Sequence, residues 1–93
     1  KIKTKIMQVA VWDTYVTKND GGIMHFDIIA PIRIKDEETI HTFGKEYLLF
    51  KNQGSQSLTA KECNFCHIEK ATDEMAVSIE QKGYYIIEME NCN

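Results

Sequence analysis

The chain has 93 residues, a formal net charge of −3, and 43% apolar and 27% charged residues, the profile of one soluble globular domain with no second core. That acidic balance, relieved only by a small basic cluster at Lys1, Lys3 and Lys5, argues against a nucleic-acid partner. No apolar run approaches the roughly 20 residues that span a bilayer. No signal peptide is visible at the start, and three cysteines, an odd number, fit a reducing cytoplasm better than a secreted disulfide framework.

The first predicted element is a strand from Lys5 to Thr17, rich in Val9, Val11, Trp12, Tyr15 and Val16. Asn19-Asp20-Gly21-Gly22 follows, and Asp20-Gly21 suits a tight hairpin turn. A second strand runs from Ile23 to Ala30 and stops at the only proline, Pro31. Asp36 then reads as an N-cap, with Glu37 and Glu38 placed against the positive end of a helix dipole. Ile40, Phe43, Tyr47 and Phe50 recur at helical spacing and predict a helix over 37–51.

The next segment, Leu58 to Ala71, is ambiguous. Thr59 and Glu62 match a capping box, while Phe65, Ile68 and two cysteines suit a strand. The strand is preferred because it adds a member to the sheet. Thr72 caps a second helix that carries Asp73, Glu74, Met75, Ala76 and Ile79, and Gly83 ends it. Tyr84 to Glu90 closes the chain as a strand. The class is α/β, more strictly α+β: a two-layer sandwich in the order ββαβαβ, with an N-terminal antiparallel hairpin and both helices on one face of a single mixed sheet.

With Asp20-Gly21 at the tip, cross-strand partners sum to 41. One side then carries Tyr15, Phe26, Val11, Ala30, Asp13 and Ile28, with Asp13 the misfit on a helix-facing surface. The other side presents Trp12, Thr14, Val16, His25, Asp27 and Ile29 on the open face. Polar residues scattered on a half-solvated sheet account for this pattern. So does an association surface around Trp12, Val16 and Ile29, and so does a site in which Asp27 orients His25.

Cys63-Asn64-Phe65-Cys66-His67 matches the C-x-x-C-H of covalent haem attachment. Sheet-rich topology and the 26 residues remaining after His67 leave little room for a helical haem pocket. Zinc is a weak alternative through Cys63, Cys66 and His67, since adjacent Cys66 and His67 diverge on a regular strand unless a bulge intervenes. A thiol–disulfide pair lacks a helix N-terminus to favour the thiolate. Ordinary small core side chains at Cys63 and Cys66 are the plainest reading.

Val11-Trp12-Asp13-Thr14-Tyr15-Val16, Met24-His25-Phe26-Asp27-Ile28, Cys66-His67-Ile68-Glu69 and Gly83-Tyr84-Tyr85-Ile86-Ile87-Glu88-Met89 together resemble a small bacterial family known only as a domain of unknown function, the DUF two-thousand-twenty-four type. Such relatives begin near Met7, which makes residues 1–6 an N-terminal extension of a single domain. The resemblance implies a small α/β protein with no established activity or cofactor. The matching positions with chemical potential are Trp12, Asp13, Thr14, His25, Asp27, Cys66, His67 and Glu69.

The expectation is a cytoplasmic binding or interaction module that self-associates, a dimer first, with no cofactor, no nucleic acid, no membrane and an unidentified small-molecule ligand. The alternative is a small enzyme or metal-binding protein using His25 and Asp27, or Cys66 and His67.

Overall fold

The computed structural model describes residues 7–93, so the expected extension at 1–6 lies outside the described residues. The elements are β1 (Gln8–Thr17), β2 (Ile23–Pro31), α1 (Glu37–Phe50), β3 (Cys63–Lys70), α2 (Asp73–Lys82) and β4 (Tyr85–Glu90). The α+β class and the ββαβαβ order agree with the sequence. No helix among the described residues is long and apolar enough to cross a membrane.

Local chemistry sets the boundaries. The Asp36 carboxylate accepts from the Glu38 N–H at 3.2 Å and opens α1, and Thr72 Oγ1 accepts from the Met75 N–H at 3.1 Å and opens α2. Gly83 ends α2 at φ 96°, a left-handed conformation that only glycine adopts without strain. The Thr59–Glu62 capping pattern closes a single turn, with the Thr59 N–H on Glu62 Oε1 at 2.7 Å and the Glu62 N–H on the Thr59 carbonyl at 3.0 Å. β3 begins one residue later, which settles the ambiguous segment as a turn followed by a strand.

The strands form one sheet in the order β3-β1-β2-β4, and every pairing is antiparallel. The expected mixed sheet is therefore corrected. The chain leaves β2, crosses over β1 to reach β3, then crosses the whole sheet to β4, so parallel strands never become neighbours.

The helices lie on opposite faces, not on one. Ile40, Tyr47 and Leu48 of α1 pack with Ala10, Trp12, Val16, Met24, Phe26, Ile28 and Ala30. Met75 and Ile79 of α2 pack with Val9, Val11 and Ile29. Successive strand residues point to opposite faces, so the two sets require a helix on each side. The signal was available in Val9-Ala10-Val11-Trp12 and Ile28-Ile29-Ala30. These unbroken apolar runs mark strands buried on both faces, whereas a one-sided sheet would alternate.

The hairpin register also differs from the expected sum of 41. Asp13 faces Asp27, Tyr15 faces His25, Thr14 faces Phe26 and Trp12 faces Ile28, each pair summing to 40. The Gly21 N–H donates to the Lys18 carbonyl and the Lys18 N–H to the Gly22 carbonyl, while Gly21 sits at φ 89°. The loop therefore has three residues, with glycine in the left-handed position after a tight turn. A shift of one residue moves every partner to the other face. Trp12 (7% exposed), Val16 (1%) and Ile29 (0%) are buried, so the apolar association surface expected from them is not formed.

Candidate functional site

α2 covers only part of its face of the sheet. Toward the hairpin tip the apolar run of β1 gives way to alternation, and the residues left uncovered on that face are Asp13, Tyr15, His25 and Asp27. His25 Nε2 donates to Asp13 Oδ1 at 2.7 Å. Asp27 Oδ1 lies 3.7 Å from the same nitrogen. One ligand atom from each of the three residues falls within 4.8 Å of the other two. The Tyr15 ring stacks on the imidazole at 4.1 Å and 10°, which holds its plane.

Two carboxylates directly opposite one another on a central strand pair repel unless something positive lies between them. Burial first, and then the neighbouring Asp13 carboxylate, push Asp27 up to about 6. Burial also opposes ionisation of Asp13. Hydrogen bonds to His25 and Asp27 and the charges of His25 and His67 overcome it, and Asp13 sits below the usual carboxylate range. The Tyr15 phenol is raised, by desolvation first and then by Asp13, Asp27 and Glu90. The cluster thus creates a negative field in which a cation is favoured. Asp27 Oδ1 is buried and has no hydrogen-bond partner.

The remaining sequence candidates divide in two. Trp12 and Thr14 are buried and point to the α1 face, away from the Asp-His-Asp cluster. Trp12 meets Phe65 edge-on at 5.7 Å, and the fully buried Thr14 hydroxyl reaches the Trp12 carbonyl at 3.2 Å and Cys63 Sγ at 3.4 Å. Cys66, His67 and Glu69 form a second group on β3, described below. The weak zinc alternative of Cys63, Cys66 and His67 does not assemble, because Cys63 is buried in the α1 core while Cys66 is exposed. The same separation opposes attachment of one haem to both thiols. Burial raises the Cys63 thiol despite its Thr14 contact, which disfavours its thiolate.

Tyr15 is the residue that sequence reasoning missed. In the expected register it faced Phe26. Asp13, the misfit on an apolar side, was the signal that the register was wrong by one. Two concave places lie elsewhere, one lined by Met7, Gln8, Pro31, Ile32, Arg33 and Lys70 and one along α2 at Asp73, Val77 and Tyr85. The Asp-His-Asp cluster sits on open sheet.

Fold and cluster together define a small α+β protein whose central hairpin bears a carboxylate–imidazole site. Residues 7–89 match the family described as a domain of unknown function, DUF2024, and the chain belongs to that family. It is similar to protein NE1680 from Nitrosomonas europaea, a structural-genomics target solved by NMR. The two share 42% identity at a TM-score of 0.81, over 94% of this chain and 100% of the other. A comparison with curated proteins finds no match.

Proposed function

We propose that this protein is a binding module for a divalent transition-metal ion held by Asp13, His25 and Asp27. The observation that carries the reading is the convergence of two carboxylates and one imidazole from adjacent central strands within 4.8 Å. Ligand atoms about 2.1 Å from an ion lie roughly 3–3.5 Å from each other. The separations of 2.7 and 3.7 Å at His25 Nε2 bracket that spacing, so small side-chain rotations suffice. The ion would relieve the repulsion between the Asp13 and Asp27 carboxylates and would take over the hydrogen bond of His25. Mixed nitrogen and oxygen ligands suit zinc, manganese or iron better than magnesium or calcium. Positions facing solvent are left for water or a small ligand.

The test is calorimetric titration of metal-free protein with Mn²⁺ and with Zn²⁺. One ion per chain is expected, with His25→Gln weakening binding by about tenfold or more and Cys66→Ser leaving it unchanged. Binding that survives His25→Gln, or no binding at all, defeats the proposal.

Self-association has a separate support. Phe65 and Ile68 are exposed on edge strand β3 (52% and 51%), and an edge strand offers unpaired backbone groups to a second copy. Light scattering that finds only monomer at high micromolar concentration would remove this part.

A further inference from the structure

We propose that Cys66 is a nucleophilic thiol, activated by His67 and oriented through Glu69, that forms mixed disulfides with small-molecule disulfides. On a regular strand Cys66 and His67 would point apart. β3 is not regular here: Val11 pairs with His67 and Trp12 with Phe65, so Cys66 is the extra residue of a β-bulge. Bulges re-aim side chains, and this one brings Cys66 Sγ to 3.2 Å from His67 Nδ1. His67 Nε2 lies 2.8 Å from Glu69 Oε1. With its Nε2 proton committed to the carboxylate, the neutral imidazole turns the Nδ1 lone pair toward the thiol. A nucleophile, its base and an acidic residue that orients the base are thus aligned.

The choice of electrophile follows from the surroundings. Cys66 is exposed on an edge strand and open to a small molecule from solvent. Attack on a disulfide needs only in-line access to sulfur. His67 Nδ1 takes the proton of Cys66, and the thiolate attacks one sulfur of the small disulfide. The Cys66–sulfur bond forms as the original sulfur–sulfur bond breaks, and the departing thiolate recovers the proton from His67. Cys63 is buried on the opposite face, out of position to resolve the product, so the mixed disulfide persists.

Other groups within electrostatic reach are Asp13 and Asp27, which sense His67, and Tyr15, which senses Cys66. The two aspartates support an imidazolium and oppose a thiolate, which leaves the direct contact with His67 as the activating interaction.

The experiment follows dithiodipyridine reacting with native, chelator-treated protein, and peptide mass mapping of the labelled thiol. One fast thiol is expected, mapping to Cys66, with buried Cys63 and Cys92 slow until the chain is unfolded. His67→Asn removes the base in contact with the thiol and should slow the fast phase about tenfold near neutral pH. That difference should vanish at alkaline pH, where hydroxide in solution replaces the base. Glu69→Gln should slow it by about threefold with the same convergence at high pH. A fast thiol other than Cys66, or an unchanged neutral-pH rate in His67→Asn, overturns the proposal. Chelator is present throughout, so the outcome is independent of metal binding at Asp13, His25 and Asp27.

Discussion

Replacing Asp27 with asparagine should stabilise the metal-free protein at neutral pH, the reverse of what loss of a buried, hydrogen-bonding carboxylate usually does. Asp27 is pushed from an ordinary 3.8 to about 6 by burial and by Asp13. The native state therefore keeps a proton that the unfolded chain has lost. Between those two values the native state binds more protons, so stability falls as pH rises, and above about 6 the penalty is fully present. Each pKa unit corresponds to about 1.36 kcal/mol, which puts the ceiling at about 3 kcal/mol. The side chain retains 16% of its exposure and its partner Asp13 retains 38%, and solvent screening at such a site reduces the effect to about 1–2 kcal/mol. The asparagine amide would supply a donor for Asp13 and remove the repulsion. Urea denaturation of parent and Asp27→Asn in the presence of chelator is the assay. The variant should be more stable by about 1–2 kcal/mol near pH 7.5, with the gap closing toward pH 4. Equal stabilities at both pH values, or a less stable variant near pH 7.5, would refute the reasoning.

Other consequences of the fold are open to simple measurement. A methyl group at Gly44 would stand 2.6 Å from Leu58 Cδ1 and 2.9 Å from Ile28 Cδ1, so Gly44→Ala should cost about 1–3 kcal/mol by overpacking the α1–sheet interface; an unchanged thermal midpoint would contradict that packing. Thr72→Ala removes the oxygen that accepts from Met75 and should cost about 1 kcal/mol in the same assay, whereas no loss would mean the cap contributes nothing. Trp12 is buried against Phe65, so its fluorescence should be blue-shifted and resistant to acrylamide until the chain unfolds. Emission like that of free tryptophan would restore the expected register and its exposed Trp12.

Much of this architecture was legible in the residues because its signals are local. Asp36, Thr72 and Gly83 mark helix ends through hydrogen bonds to their own neighbourhood, and the Asp20-Gly21 turn marks the hairpin. What failed was decided between elements. A two-residue and a three-residue loop differ by one position in register. That single step sends His25 and Asp27 from the face of Trp12 to the face of Asp13. Placing both helices on one face overlooked the unbroken apolar runs in β1 and β2. The cluster is half visible in the sequence: His25 and Asp27 are both candidates, but the carboxylate that holds the imidazole is Asp13, the misfit, at 2.7 Å, with Asp27 at 3.7 Å, and only the true register joins the three and adds Tyr15. At Cys66 and His67 a bulge was the stated condition for the two to act together, and no local residue pattern announces one.

The most direct test of the proposed metal binding is paramagnetic broadening of NMR signals by substoichiometric Mn²⁺ added to metal-free protein. Amide signals around Asp13, Tyr15, His25 and Asp27 should disappear first, and His25→Gln should require about tenfold more Mn²⁺ for the same broadening. The exposed acidic starts of both helices, at Glu37 and Glu38 and at Asp73 and Glu74, serve as internal competitors. Broadening that begins at those helix ends, or that spreads evenly over the chain, would contradict a metal site on the hairpin.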